Sequence, residues 1–169
     1  MQDLSTRFPG VHFYNPALTE VQPGVRIGAG TRVGTFTLIH QGAIVGENCT
    51  IGSHANICDC RIGNRVSIQT ACHITRGVII EDDVFIGPGV ITMNDKLTGL
   101  ANAFPRIMSG AKVGGGSVIL PGVTIGRNAL VGAGSVVSRD VPDGATLLGY
   151  PDRQRILHRA AGTADAGTP

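Results

Sequence analysis

Residues 21–63 read VQPGVRIGAGTRVGTFTLIHQGAIVGENCTIGSHANICDCRIG. Val or Ile stands at every sixth position: Val21, Ile27, Val33, Ile39, Val45, Ile51 and Ile57. One step of five, Ile57 to Ile62, is followed by Ile68, Ile74, Ile80 and Ile86. After a gap the series returns as Val113, Ile119, Ile125, Val131 and Val137. All 17 hexads begin with a β-branched aliphatic residue, a run that chance does not produce. A second series, small or β-branched, lies four residues later: Val25, Thr31, Thr37, Ala43, Cys49, Ala55, Val66, Cys72, Val78, Val84 and Val90, then Ser117, Val123, Ala129, Ser135 and Val141. Each member stands two residues before the next aliphatic one, and residues i and i+2 of a strand point to one side.

Each hexad is therefore a short strand with two inward side chains, followed by a turn. A helix is excluded, because its apolar period is 3.6. The turns are also too short for helical crossovers, so the chain must coil as a solenoid whose parallel rungs stack about 4.8 Å apart. Gly directly after the aliphatic residue (Gly28, Gly34, Gly46, Gly52, Gly63, Gly87, Gly114, Gly126 and Gly132) is expected to supply bends with positive φ.

Composition agrees with a repeat of this kind. The chain has 169 residues, enough for one domain, and 25 are Gly, about twice ordinary usage. Aromatic residues are only 4%, with no Trp, so the core must consist of small branched side chains. A net charge of +2 is too small for a dedicated nucleic-acid binder. Four Cys without a secretory segment read as reduced thiols. The start, MQDLSTRFPG, lacks an apolar stretch, and Gly interrupts each apolar run before 18 residues. A cytoplasmic location with no membrane association is the expectation.

Residues 93–106 (MNDKLTGLANAFPR) lose the rhythm, and Ile107 with Ala111 restores it. Such a break in a regular solenoid marks an external loop with a function. The expected organisation is one β-helix domain over residues 1–160 carrying the 93–106 loop. Its other features would be a cap to Glu20, a short basic helix over Arg153–Ala160 and a disordered tail at 161–169. With three hexads per coil, Leu38, Asn56, His73 and Ile91 fall in one outward column. His73 then lies about 4.8 Å beneath the point where the loop departs. Further outward apolar residues (Ile44, Ile79, Phe85, Val118, Leu130 and Val136) call for burial between subunits.

The unit [Val/Ile]-Gly-x-x-[Ser/Thr/Ala/Val/Cys]-x resembles the hexapeptide-repeat left-handed β-helix acyltransferases over residues 11–153. The resemblance implies three hexads per triangular coil, left-handed winding, and a homotrimer with active sites between subunits. The segments GTRVGTF, VGENCTIG, GNRVSIQ, IEDDVFIGPGVITMND, VILPGVTIG and VGAGSVVSRDVPDGATLLGYP are similar to bacterial nucleotide-sugar N-acetyltransferases. These take acetyl-CoA as acyl donor and an amino group on a nucleotide-linked deoxy sugar as acceptor, with no metal. Asn94, following the F-x-G-P segment, is the more specific mark of the amino-sugar group.

The reaction this implies has modest demands. An amine attacks a thioester, an oxyanion forms and a thiolate leaves. Positioning supplies much of the acceleration, an amide N–H steadies the oxyanion, and His is the natural base near neutral pH. His73 and Asn94 are the candidate catalytic residues. Asn56, Asp95 and Arg76 are candidates for holding the acceptor. For the donor the resemblance implies the segment Gly132, Ala133, Gly134, with Arg139 and Arg153 toward the phosphates. Three other readings remain: an O-acetyltransferase, a non-catalytic scaffold, and a zinc carbonic anhydrase of the same fold. The last needs His spaced five apart, which is absent; His40, His54 and His73 are 14 and 19 apart. Cys58 and Cys60 share a C-x-C spacing, but Cys58 falls at a turn and no second pair follows, so metal binding is not expected. Cys49 and Cys72 read as small inward hydrophobes.

Overall fold

The computed structural model describes residues 3–95, 103–150 and 155–158. The repeat folds into a parallel β solenoid of about seven turns, consistent with left-handed winding. Each hexad yields a two-residue strand made of the outward residue and the aliphatic one. Successive strands pass to three different sheets in rotation. The first sheet runs from His12–Phe13 through Arg32–Val33, Thr50–Ile51, Ser67–Ile68, Phe85–Ile86, Lys112–Val113 and Leu130–Val131 to Thr146–Leu148. The second stacks Glu20–Val21, Leu38–Ile39, Asn56–Ile57, His73–Ile74, Ile91–Thr92, Val118–Ile119 and Val136–Val137. The third contains Arg26–Ile27, Ile44–Val45, Arg61–Ile62, Ile79–Ile80, Arg106–Ile107 and Thr124–Ile125.

Both inward series are buried, and together they form one continuous core along the prism axis. Burial of each Val or Ile is worth about 1.5–3 kcal/mol. Polar members of the small series are satisfied within the coil above. Thr31 Oγ1 donates to the Gly46 carbonyl at 2.9 Å, Thr37 Oγ1 to Gly52 at 3.1 Å, and Ser117 Oγ to Gly132 at 3.1 Å. Cys49 and Cys72 do more than fill space. Their thiols occupy the same geometry, 3.1 Å from the Gly63 and Gly87 carbonyls. Cys60 is the inward residue of the five-residue step, stacked between Ala43 and Val78 through Ile44 N–H to Cys60 O and Arg61 N–H to Val78 O.

Two expectations are corrected. The Gly after each aliphatic residue does not adopt positive φ; that conformation falls two residues later, at Gly30, Gly42, Gly77, Gly89 and their equivalents. Gly52 is required by close approach instead. A Cβ there would lie 2.5 Å from Gln69 C and Thr70 N of the next coil, which is closer than any real Cβ contact. The left-handed position tolerates other residues, including Ala71 at φ 57°. The second correction concerns the C-terminal segment. In place of a helix, Arg155–Leu157 forms a strand antiparallel to Thr146–Leu148. The exposed edge of the last rung offers unpaired backbone groups, and pairing there outweighs a short helix that few residues could sustain. The expected tail at 161–169 lies outside the described residues.

The N-terminal stretch closes the other end of the core. Helix Leu4–Arg7 presents Leu4 inward, and the Arg7 guanidinium donates to the Val21 and Gln22 carbonyls, both at 2.8 Å. His12–Phe13 already forms the first rung, so the solenoid starts before Glu20.

Two substitutions separate the two glycine roles. Ala71→Gly should raise stability by about 1 kcal/mol by removing left-handed strain. Gly52→Ala should lower it by about 1–3 kcal/mol through overpacking. Chemical denaturation with unchanged slope is the measurement for both.

Candidate functional site

The outward column of the second sheet has the register expected for it: Glu20, Leu38, Asn56, His73, Ile91, Val118, Val136. It is apolar above His73, and directly beneath stands the polar Asn56. From Val21 to Val137, the corner that follows this sheet carries both departures from the six-residue step. Here the five-residue step places Cys58, Asp59 and Cys60, and two coils higher the long loop leaves after Thr92.

Thr92 occupies an inward position where the repeat calls for an aliphatic residue, and it is fully buried. Its Oγ1 accepts from Thr75 N–H at 2.9 Å, shares a 2.9 Å hydrogen bond with the Thr75 hydroxyl, and lies 3.4 Å from the His73 carbonyl, to which it donates. These bonds pin the backbone on both sides of His73. Asn94 Nδ2 donates to the Arg76 carbonyl at 3.0 Å, and Ala103 N–H donates to the Asn94 carbonyl at 3.2 Å, drawing the base of the loop together. Phe104 lies over Gly77, where any Cβ would strike the ring; with φ +83° this corner is doubly restricted to glycine. Arg106 resumes the third sheet, so the described loop ends at Pro105.

A pocket of about 260 Å³ opens above His73, lined by His73, Thr75, Ile91, Thr92, Met93, Asn94 and Asp95. Three of the candidates named from the sequence thus meet in one cavity: His73, Asn94 and Asp95. Arg76 contributes its carbonyl to the Asn94 anchor while its side chain is exposed. Asn56 lies one coil below, and its Oδ1 is 2.9 Å from His40 Nε2. Gly132, Ala133 and Gly134 form the corner between the first and second sheets, at the opposite end of the second-sheet strands, and do not line this pocket. The amides of Gly132 and Gly134 donate within the solenoid, to Leu147 O and Gly115 O, so this segment offers space rather than those two N–H groups. Nothing lies within 4 Å of a Cβ built on Gly116 or Gly134, which leaves an open track along that corner. Arg139 is exposed on the loop corner, above the loop. Arg153 lies outside the described residues.

Two residues absent from the sequence-based candidates belong to the cluster. Cys58 Sγ lies 3.9 Å from His73 Nε2 and 3.7 Å from Asn56 Oδ1, and His40 completes the group through Asn56. All three of His40, Cys58 and Thr75 directly follow the inward residue of a second-sheet strand, so the stacking arithmetic that found His73 could have found them. Burial pushes the Cys58 thiol above the ordinary range, and the deeper Cys60 much further. Among the described residues no group of three or more His, Cys, Asp or Glu side chains is placed to hold a metal ion. No helix among them is long and apolar enough to cross a membrane.

The hexapeptide model described as "Bacterial transferase hexapeptide (six repeats)" matches residues 18–58 and 104–139. The chain belongs to the hexapeptide-repeat, left-handed β-helix family. Among curated relatives, the "Bifunctional protein GlmU" of Thermosynechococcus vestitus is 36% identical over 122 residues, 72% of this chain. The matched region is 26% of that protein, so the chain spans about a quarter of its length. Among solved structures, the acetyltransferase domain of PglB from Neisseria gonorrhoeae, in complex with acetyl coenzyme A, gives a TM-score of 0.58 at 22% identity, over 88% of this chain and 58% of that one. AntD, an N-acyltransferase from Bacillus cereus in complex with dTDP and coenzyme A, gives 0.54 at 18% identity, over 90% and 80%. Both likenesses are likenesses of fold.

The four cysteines should separate by accessibility. Native protein treated with iodoacetamide should take up one equivalent, at Cys58, and only slowly at neutral pH. A raised thiol pKa leaves little thiolate until the pH exceeds the ordinary thiol range, so the rate should climb there. Cys49, Cys60 and Cys72 should react only after unfolding, as peptide mapping would show.

Proposed function

We propose that the chain is an acetyl-CoA-dependent N-acetyltransferase whose acceptor is the amino group of a nucleotide-linked amino deoxy sugar, working as a homotrimer in the cytoplasm. The observation that carries this reading is the convergence of His73, Asn94 and Asp95 on one pocket at the base of the loop. A half-buried imidazole beside an amide and a carboxylate suits an amine acceptor. His73 takes the ammonium or attack-stage proton, Asp95 attracts the protonated amine as it enters, and Asn94, held by the Arg76 carbonyl, orients it. The amine nitrogen bonds to the thioester carbonyl carbon, the tetrahedral oxyanion is steadied by an amide N–H, and the carbon–sulfur bond breaks to release the thiolate of coenzyme A.

The donor is supported by the side-chain-free track past Gly116 and Gly134, which offers room beside the backbone for a pantetheine arm, with Arg153 and, from the loop corner of a neighbouring subunit, Arg139 as partners for its phosphates. Because that track and the His73 pocket lie at opposite ends of one face, a site completed by a neighbouring subunit brings donor and acceptor together. The apolar column above His73, with Ile91 at 43% exposure and Val118 and Val136 half-buried, supports such a neighbour. Acetyl transfer is also the activity named for the PglB domain and acyl transfer to nitrogen that named for AntD, which makes this reaction class the one to test.

Incubation with acetyl-CoA and a panel of nucleotide amino sugars should release thiol with at least one member and not with its hydroxyl counterpart. His73→Ala and Asn94→Ala should each lower kcat by about 100-fold, and sedimentation should give three times the 17.5 kDa chain mass. Turnover unchanged in both variants would remove these residues from the mechanism, and thiol release with the hydroxyl sugar alone would replace N- with O-acetylation.

A further inference from the structure

The group beneath the pocket contains four side chains in a continuous chain of contacts: His40 Nε2 to Asn56 Oδ1 at 2.9 Å, Cys58 Sγ to the same Oδ1 at 3.7 Å, and Cys58 Sγ to His73 Nε2 at 3.9 Å. One set of proton directions makes all three contacts hydrogen bonds at once. A carboxamide oxygen only accepts, so His40 donates through Nε2–H and Cys58 donates its single S–H. Toward His73 the sulfur then has only lone pairs to offer. In that set His73 Nε2 carries the hydrogen, and a neutral imidazole has one N–H, which leaves the lone pair on Nδ1.

We propose that Cys58 and Asn56 are positioning residues that hold His73 in the tautomer with hydrogen on Nε2, so that Nδ1 is the nitrogen that accepts the proton of the attacking amine. The tautomer follows from the hydrogen-bond chain alone; the use of Nδ1 as a base rests on the proposed acetyl transfer. Burial agrees with the assignment, since it keeps Cys58 a thiol with a proton to give Asn56. The arrangement also gives Cys58 a task other than nucleophilic attack: its proton points to Asn56 and its lone pair to His73. When Nδ1 takes up a proton, the imidazolium keeps its Nε2–H on sulfur, and no ring rotation is needed during turnover.

The test combines a spectroscopic readout with kinetics on the full chain. Two-bond ¹H–¹⁵N correlation spectra of ¹⁵N-histidine-labelled protein should show His73 and His40 both protonated on Nε2 at a pH where the rings are neutral. Cys58→Ala should release the His73 ring to exchange between tautomers and lower kcat about tenfold, with KM for both substrates unchanged. Cys58→Ser should restore the single tautomer and most of kcat, because a hydroxyl donates and accepts in the same way, and a melting curve matching that of the parent chain would exclude a folding defect. Hydrogen on Nδ1 of His73 in the parent chain would overturn the assignment outright. The expected tautomer with kcat unaffected in Cys58→Ala would overturn the positioning role. A fully active His73→Ala would instead overturn the proposed base while leaving the tautomer standing.

Discussion

Coil-on-coil contact governs this molecule. Each rung donates and accepts backbone hydrogen bonds with the rung above and below at strand spacing, and that spacing leaves no volume for a side chain where Gly52 meets Gln69 and Thr70. The side chains inside the prism obey the same restriction. A branched aliphatic residue and a small one alternate inside the prism, and at Thr31, Thr37, Cys49, Cys72 and Ser117 the small residue's polar group reaches a carbonyl one coil up. A stack held this way has little tolerance for deviation, so the few deviations present are informative.

Those deviations share one edge. The five-residue step at Cys58–Cys60, the inward Thr92 in place of an aliphatic residue, and the excursion anchored by Asn94 and Ala103 all follow the second sheet. Each changes something the regular repeat cannot supply. The short step brings Cys58 to His73, Thr92 locks the backbone of His73 and Thr75, and Met93, Asn94 and Asp95 at the start of the excursion line the space above them. Polar chemistry on a surface otherwise built for stacking comes from these local departures.

The six-residue rhythm carried the architecture and the column Leu38–Asn56–His73–Ile91, because periodicity is a property of backbone spacing and needs no knowledge of side-chain conformation. The same arithmetic puts His73 beneath the point where the loop departs, whereas Asn94 is marked by the resemblance; the structure brings both, with Asp95, to one pocket. Three things escaped the arithmetic. The role of Gly52 depends on the distance between coils, a contact remote in sequence. The Cys58–His73 contact depends on how a shortened corner is recessed, which residue spacing does not specify. Local composition permits a helix over Arg153–Ala160, whereas the free edge of Thr146–Leu148 is a tertiary fact that decides for a strand at Arg155–Leu157.

That reversed strand bears on how the molecule keeps to itself. A parallel stack ends in a rung whose free amides and carbonyls match the underside of any identical coil, an open invitation to endless head-to-tail growth. Laying Arg155–Leu157 along Thr146–Leu148 in the opposite direction replaces, on the first sheet, the evenly spaced, slanted bonding pattern with an alternating one that no further copy can continue in register. At the opposite pole the Leu4–Arg7 turn and its guanidinium stopper the bore. On the first sheet, continued parallel stacking thus stops at the Thr146–Leu148 rung.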